Sequence, residues 1–122
     1  MNTNLDIERE YDDERFNPRV VYEDDYQKVI MAFFDEGQFI PVHAPESTLT
    51  VVVQSGSGVV RKGDEEHPVE PGDVVTVPAN VERGVRASPD ERLEAVMVTS
   101  PPPSEEDHRK VREGLRNDEF EP

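Results

Sequence analysis

Short runs of β-forming residues, each closed by a turn residue, constrain this chain more than any other feature. The runs are rich in Val, Ile, Phe and Thr, which is the composition of β-strands. Turn-forming residues separate them, for example Asp35-Glu36-Gly37 and Pro71-Gly72-Asp73. Nine runs are recognised: Arg19–Tyr22, Lys28–Phe34, Phe39–His43, Thr48–Gln54, Gly58–Lys62, Glu66–Glu70, Val74–Val77, Arg83–Ala87 and Leu93–Thr99. So many short strands in so short a chain predict a sandwich or a barrel.

No helical pattern lies between these runs, so we expect antiparallel hairpins and Greek-key links instead of βαβ crossovers. A stiff spacer, Pro101-Pro102-Pro103, follows the last run. The next residues, Ser104-Glu105-Glu106-Asp107, have the form of a helix N-cap with negative charge in the first turn. They predict a short helix over Glu105 to Arg116. The expected fold class is all-β, with an antiparallel barrel and a short C-terminal α-helix.

The 122 residues suit one domain, and composition divides it into three parts. Residues 1–18 are predicted to form a flexible acidic arm, because their apolar residues are too sparse to define an amphipathic helix. Residues 19–100 are predicted to form the barrel. Residues 101–122 hold the proline spacer, the short helix and a tail.

The charge of the chain limits its partners. There are 28 Asp and Glu against 13 Lys and Arg, for a net charge of −15, which argues against binding to nucleic acid. Lys28, Lys62 and Lys110 are the only lysines. This pattern indicates a halophilic surface, whose self-repulsion is relieved by concentrated counterions. The alternative is an ordinary acidic protein whose charge lies in disordered ends, at residues 2–14 and 117–122.

Compartment and redox chemistry are also limited. No apolar run approaches the ~20 residues of a membrane span, and the acidic start lacks the regions of a signal peptide. We therefore expect a cytoplasmic protein that does not bind membranes. The chain has no cysteine, which excludes disulfides, thiolate metal sites and thiol nucleophiles.

Three segments resemble the conserved motifs of the cupin superfamily. The segment from Gly37 to His43 (GQFIPVH) resembles the start of the first motif. The segment from Glu70 to Gly84 resembles the second, in which Pro-Gly-Asp opens a strand. Between them, the segment from Val51 to Gly58 resembles a strand that enters a Gly-x-Gly turn. The resemblance covers about residues 28–99 and implies a small jelly-roll β-barrel, usually a homodimer. It implies no single activity, since one fold hosts unrelated chemistries.

The resemblance also implies where a metal would bind. Metal-binding cupins use a His-x-His pair and a Glu from the first motif and a His from the second. Here His43 matches the first histidine, Pro45 replaces the second, and Leu49 stands near the glutamate position. Arg83, a cation that repels metals, matches the last histidine. We therefore expect no metal cofactor, with a small allowance for a divalent ion at His43 and Glu46, and metal-dependent oxygenase chemistry is disfavoured.

In the cupin register, His43 and Arg83 would project into the mouth of the barrel. An arginine fork matches a carboxylate or phosphate at two points, and a histidine can add a hydrogen bond or move a proton. We therefore expect a pocket for a small anion. Strand parity with these two residues predicts an apolar wall of Phe39, Pro41, Leu49, Val51, Val53 and Val85. The expected ligand-binding residues are His43, Arg83, Glu46, Phe39, Leu49 and Val51.

Plainer interpretations of the two site residues remain open. Arg83 could pair with Glu46, Glu82 or Glu94, and His43 could be a buried histidine that donates to a carbonyl. A Glu46 carboxylate bonded to Arg83 would make the anion site redundant.

The function has alternatives as well. Beside non-catalytic ligand binding, one is a metal-independent isomerase or epimerase with His43 as the base, coupled to Glu46. Another is a structural dimerisation or interaction module, in which the tail helix docks a partner. A helix held away from the barrel would favour that role, whereas a helix laid across the mouth as a lid would favour binding or catalysis.

Overall fold

A computed structural model of the protein describes residues 2–122. The elements are α1 (Leu5–Glu8), β1 (Asn17–Glu23), β2 (Lys28–Phe34), β3 (Phe39–His43), β4 (Thr48–Gly56), β5 (Gly58–Lys62), β6 (Glu65–Val69), β7 (Val74–Val77), β8 (Arg83–Ala87), β9 (Leu93–Ser100) and α2 (Glu105–Arg116). All nine predicted strands and the predicted C-terminal helix are present. The four-residue α1 was not predicted. Neither helix in this part of the chain is long and apolar enough to span a membrane.

The strands form two antiparallel sheets. One has the order β1-β2-β9-β4-β7 and the other the order β3-β8-β5-β6. Strands distant in sequence are neighbours, since β9 lies between β2 and β4, and β8 lies between β3 and β5. This is the jelly-roll arrangement, and the predicted fold class is confirmed.

The core lies between the two sheets and follows from strand alternation. In β4, Leu49, Val51 and Val53 are buried while their neighbours are more exposed. Val60 and Val85 are buried in the second sheet and belong to the same apolar cluster. Burying each such side chain stabilises the fold by about 1.5–3 kcal/mol.

The segment before β1 lies against the barrel at specific points. The ring of Phe16 stacks on Phe34 with 5.4 Å between centroids. Farther upstream, Arg9 Nε donates to Glu94 Oε2 at 2.6 Å, and Glu94 is only 3% exposed. The strand itself begins at Asn17, two residues before the predicted start. The predicted arm is thus in contact with the barrel, and its flexibility stays a prediction.

The C-terminal helix lies on β3 and is fixed at both ends. At its start, Ser104 and Asp107 form the predicted capping box. Near its end, Gly114 is buried, and a Cβ there would lie 2.6 Å from Pro41 Cβ and Cγ. Beyond the helix, the carbonyl oxygen of Phe120 accepts a hydrogen bond from Val42 N at 2.7 Å. The close approach of α2 to the barrel therefore depends on a residue without a side chain.

Candidate functional site

A cavity of about 350 Å³ opens at the end of the barrel that α2 covers. Both sheets contribute to its wall, together with the segment before β1 and the inner face of α2. The apolar part of the wall includes Phe16, Ile30, Leu49, Val85, Met97 and Leu115. This volume is at the lower end of the range for small-molecule sites.

The charged residues of this wall all have the same sign. In a chain with a net charge of −15, no Asp or Glu among the described residues lines the cavity. Basic side chains reach it from the segment before β1, from three strands and from α2. They are Arg15, Lys28, His43, Arg83, His108 and Arg112. Such a wall favours an anionic occupant over a cationic one.

Arg83 is the most deeply buried of these basic residues and is only 3% exposed. Its Nε donates to the carbonyl oxygen of Val81 at 3.1 Å. Its Nη2 donates to the carbonyl oxygens of Ser47 at 2.8 Å and Pro78 at 2.9 Å. The guanidinium is therefore held in place by backbone carbonyls of two loops.

No carboxylate in the described part of the chain accepts a hydrogen bond from Arg83. Glu94 is bonded to Arg9 instead. Glu46 and Glu82 are exposed and their side chains make no hydrogen bond to Arg83. The three pairings considered from the sequence are therefore absent, and the anion site is not made redundant by Glu46.

The remaining nitrogen of Arg83, Nη1, is buried and has no hydrogen-bond partner within residues 2–122. Burial lowers the pKa of Arg83 from its ordinary value, and the charge of Asp107 opposes this effect. A guanidinium nevertheless keeps its proton in proteins. A buried donor that lacks an acceptor is costly, so Arg83, which lines the cavity, would gain from an acceptor brought within reach of Nη1.

His43 lies beside Arg83, as its cross-strand partner on β3. Its Nδ1 is 2.8 Å from the carbonyl oxygen of Pro41, and since a carbonyl only accepts, Nδ1 carries the hydrogen. Burial lowers the pKa of His43 below 6.5; Arg83 and Lys110 add to this, while the Pro41 hydrogen bond and Asp107 oppose it. His43 is therefore neutral near pH 7, and its Nε2 is an acceptor.

A β-bulge decides which residues of β3 reach the cavity. Ile40 pairs with Val85 and His43 pairs with Arg83, so three steps on β3 match two on β8. The extra residue reverses the parity between Ile40 and His43, and both line the cavity. Phe39 does not line it, although it shares the parity of His43.

The cavity brings together three of the six residues predicted to bind the ligand, namely His43, Arg83 and Leu49. The other three are elsewhere. Glu46 is exposed, Phe39 packs edge to face on Phe120, and Val51 is fully buried in the core. None of the three lines this cavity, and their part in ligand binding stays a prediction. Of the predicted apolar wall, Val85 lines the cavity, whereas Pro41 and Val53 do not.

Four basic residues of the wall were not predicted. Two lie on α2, where His108, Val111, Arg112 and Leu115 all line the cavity. Their spacing places them on one face of a helix, and this pattern was the signal available in the sequence. Arg15 and Lys28 carried no comparable signal, because only the tertiary fold brings them to the cavity.

Two of the unpredicted cations already have polar neighbours. Lys28 Nζ lies 3.5 Å from His108 Nε2. Arg112 Nη2 donates to Glu105 Oε1 at 2.9 Å, in an exposed ion pair. These groups are more available for steering a ligand than for binding it tightly, since exposed charges are screened by solvent.

The residues present do not fit the metal site that the cupin motifs imply. Pro45, Leu49 and Arg83, which the motif resemblance aligns with three of the metal ligands, line the cavity, and none of these residue types binds a divalent metal with its side chain. Within residues 2–122 no three His, Cys, Asp or Glu side chains come close enough to hold a metal ion. The donor set of this site is suited to an anion.

Comparisons with known proteins agree with the fold. Residues 31–99 match the Cupin domain family. An RmlC-like cupin protein from Desulfovibrio desulfuricans is 32% identical, with a TM-score of 0.71 and coverage of 84% of this chain and 98% of that one. A Thermus thermophilus protein is 27% identical, with a TM-score of 0.80 and the same two coverages, 84% and 98%.

A more distant structure, KdgF from Halomonas sp., is 21% identical with a TM-score of 0.65 and shows the fold alone; 77% of this chain and 86% of that one are covered. No curated protein matches this chain. The family match spans more than half of the chain, and it agrees with the jelly-roll topology described above. The chain therefore belongs to the cupin superfamily.

Proposed function

We propose that this cupin binds a small anion, a carboxylate or a phosphate, in the cavity at the end of its barrel. One observation carries the proposal. Arg83 is 3% exposed, its Nη1 has no partner among the described residues, and no acidic side chain lines the cavity around it. A bound oxyanion would supply the missing acceptor and balance the buried charge.

The surrounding cations support this role at longer range. Arg15 and Arg112 are exposed at the cavity, where they attract an anion toward a protein that otherwise repels one. Asp107 is the acid whose charge acts on both Arg83 and His43, but its Oδ2 accepts hydrogen bonds from Ser104. The capping box thus leaves Arg83 without a hydrogen-bonded counterion.

His43 would tie anion binding to proton uptake. In the neutral form its Nε2 lone pair repels an oxyanion, whereas a protonated imidazole donates a hydrogen bond to it. An anion bound beside Arg83 therefore raises the pKa of His43 above its ligand-free value. Binding should grow stronger as the pH falls.

The two alternative functions receive less support. A His43 base needs a carboxylate partner, but Nδ1 of His43 bonds the Pro41 carbonyl and Glu46 is exposed. An interaction module would keep α2 away from the barrel, but α2 lies on β3 and lines the cavity. A helix in the position of a lid favours ligand binding.

Isothermal titration calorimetry with small carboxylates and inorganic phosphate tests the proposal. Arg83→Gln should weaken binding at least tenfold, since a buried charge-assisted hydrogen bond contributes about 1.5–3 kcal/mol. Arg86→Gln is the matched control, because Arg86 lies on the same strand but contacts Phe120 and Glu66 outside the cavity. Its affinity should equal that of the wild type.

A second pair of variants guards against misfolding at the buried site. Arg112→Gln removes an exposed cation that lines the cavity, and Arg116→Gln removes one on the same helix that does not. We expect Arg112→Gln to slow association and Arg116→Gln to leave it unchanged. Equal affinities in the wild type and in a folded Arg83→Gln variant would refute the proposal.

A further inference from the structure

The cavity is poor in uncharged hydrogen-bonding side chains. Of its lining residues, Thr99 is the only one with a hydroxyl or amide group within the described chain, and its Oγ1 is already 3.5 Å from the Lys28 carbonyl oxygen. Asp, Glu, Asn and Gln, which accept hydrogen bonds from ligand hydroxyls, do not line this part of the structure. Apart from Nε2 of His43, the hydroxyl protons of a polyhydroxylated ligand would find few side-chain acceptors here in place of water.

The wall of the cavity that contains Arg83 is largely apolar. Leu49, Val85 and Met97 line the cavity, as Arg83 does, and are only 5%, 1% and 3% exposed. Phe16, at 8% exposure, closes the wall from the side of β1. The one buried donor without a partner in the described chain thus belongs to a residue of a largely apolar cavity, and the matching ligand has one charged end on an apolar body.

The charges on the wall favour a single anionic group. Arg83 Nη1 is the only buried side-chain nitrogen or oxygen without a partner in residues 2–122. Lys28 lies near His108, and Arg112 lies near Glu105. Both cations are far less buried than Arg83. The single charge of a carboxylate matches that of one buried guanidinium, whereas a phosphate dianion carries one charge more.

We infer that the ligand of this cavity is a small monocarboxylic acid with an aliphatic or aromatic body, as opposed to a polyhydroxylated acid or a sugar phosphate. The inference rests on the proposed function, because it assumes that an anion binds at Arg83. It adds the chemical class of the rest of the ligand. The cavity of about 350 Å³ limits that body to a small one.

Four small probes test the inference on the full-length protein by calorimetry. Hexanoate has the carboxylate and an apolar chain, gluconate has the carboxylate and hydroxyls on the same number of carbons, acetate lacks the chain, and 1-hexanol lacks the charge. Hexanoate should bind at least ten times more tightly than each of the other three. Acetate then measures the affinity lost without the chain, 1-hexanol the affinity lost without the charge, and gluconate the affinity lost when the chain is no longer apolar.

The outcomes separate the two proposals. If gluconate binds as tightly as hexanoate, the ligand class is wrong while the anion site stands. If 1-hexanol binds as tightly as hexanoate, or if no acid binds at millimolar concentration, the anion site itself is wrong. If acetate equals hexanoate, the apolar wall contributes nothing and the class is again wrong.

A matched pair of variants tests the wall directly. Val85→Thr places a hydroxyl in the wall at almost constant volume, and Val51→Thr makes the same change at a buried core position that does not line the cavity. We expect Val85→Thr to weaken hexanoate binding several-fold and Val51→Thr to leave it unchanged, with circular dichroism checking that both are folded. Equal effects of the two variants on hexanoate affinity would overturn the inference.

Discussion

Arg83 donates through Nη2 to the carbonyl oxygen of Ser47 at 2.8 Å, and Ser47 donates its own hydroxyl to the carbonyl oxygen of Pro101 at 2.6 Å. Both side chains are buried, at 3% and 1% exposure. This chain of bonds joins β8 to the loop before β4 and to the segment that leads into α2. The cation that we assign to ligand binding therefore also holds the walls of the cavity together.

Arg83→Met should destabilise the fold by about 2–4 kcal/mol, because it removes the donor to the carbonyl oxygens of Ser47, Pro78 and Val81, and the bond to Ser47 is buried. Urea unfolding gives the change in the free energy of unfolding. Arg86→Met serves as the control and should cost less than about 1 kcal/mol, since its ion pair with Glu66 is exposed. Similar losses in the two variants would mean that the carbonyl bonds of Arg83 contribute little.

Acidification should destabilise the ligand-free protein through His43. Burial holds the pKa of His43 in the folded state below 6.5, so the unfolded chain takes up this proton first. The stabilising contribution is complete above pH 6.5 and is lost as the pH falls from there toward the folded-state pKa. Unfolding curves across this window should show a smaller slope of stability against pH in His43→Gln than in the wild type.

The groups that face His43 define the control for this experiment. Arg83 and Lys110 disfavour its charged form, and Asp107 favours it. Asp107→Asn should therefore lower the pKa of His43 further, which nuclear magnetic resonance of the imidazole can follow. A His43 that titrates at its ordinary value in the wild type would contradict the prediction.

Gly114→Ala should destabilise the protein although alanine favours helices. In an isolated helix the change would gain about 1 kcal/mol. Here the new Cβ would lie 2.6 Å from the ring of Pro41, so α2 must move away from β3. We expect a lower free energy of unfolding and weaker hexanoate binding, measured by urea unfolding and calorimetry.

The control for this helix is Glu113→Ala, next to Gly114 in α2 but with its carboxylate in an exposed pair with Arg109. It should change stability by less than about 0.5 kcal/mol. A Gly114→Ala protein as stable as Glu113→Ala would show that α2 is not held by close contact.

Glu94→Gln should loosen the segment before β1. The carboxylate accepts hydrogen bonds from Arg9 and Tyr11. Both bonds lower the pKa of Glu94, and the bond from Arg9 has the larger effect. We expect a loss of about 1–3 kcal/mol at neutral pH and faster proteolysis near residues 9–15. The exposed residue Glu91 provides the control variant Glu91→Gln.

The pH dependence of Glu94 gives a second readout. The pKa of Glu94 in the folded state is below its ordinary value of 4.5. The contribution of Glu94 to the free energy of unfolding is therefore present above pH 4.5 and is lost as the pH falls through the folded-state pKa. The wild type and Glu94→Gln should therefore converge in stability at acidic pH. A constant difference at every pH would contradict an electrostatic role.

Salt should act on folding and on binding in opposite directions. Added KCl screens repulsion within a chain of net charge −15, so the melting temperature should rise. The same salt screens Arg15 and Arg112 at the cavity and weakens anion binding. A melting temperature that is flat from low to multimolar KCl would refute the halophilic interpretation, which so far is a prediction.

Local chemistry explains why the elements were predictable. The bounds of β2, β3, β5, β7 and β8 agree with the predicted runs, because β-branched residues and turn-forming Gly, Pro and Asp act over a few residues. The same holds for α2, whose capping box is set by Ser104 and Asp107 alone. The motif resemblance then selected the jelly roll among possible barrels.

The candidate site was only half predictable. Its two central residues, His43 and Arg83, came from the motif register, but the bulge in β3 reversed the parity of Phe39. The link between Arg9 and Glu94 joins positions 85 residues apart, so neither residue signals the other. Nothing local indicated that Arg15 and Lys28 would meet the inner face of α2 around one cavity.

The sequence by itself determined the strands, their turns, the capped helix and the acidic charge, since each depends on residue identity over short spans. Only the tertiary structure decided that Arg83 is held by carbonyl oxygens with Nη1 left free, and that every charged side chain of the cavity wall in the described chain is basic. The physical reason is that hydrogen-bond partners and local potential depend on distances between distant elements. Those distances are fixed by packing of the two sheets and α2, which no local pattern encodes.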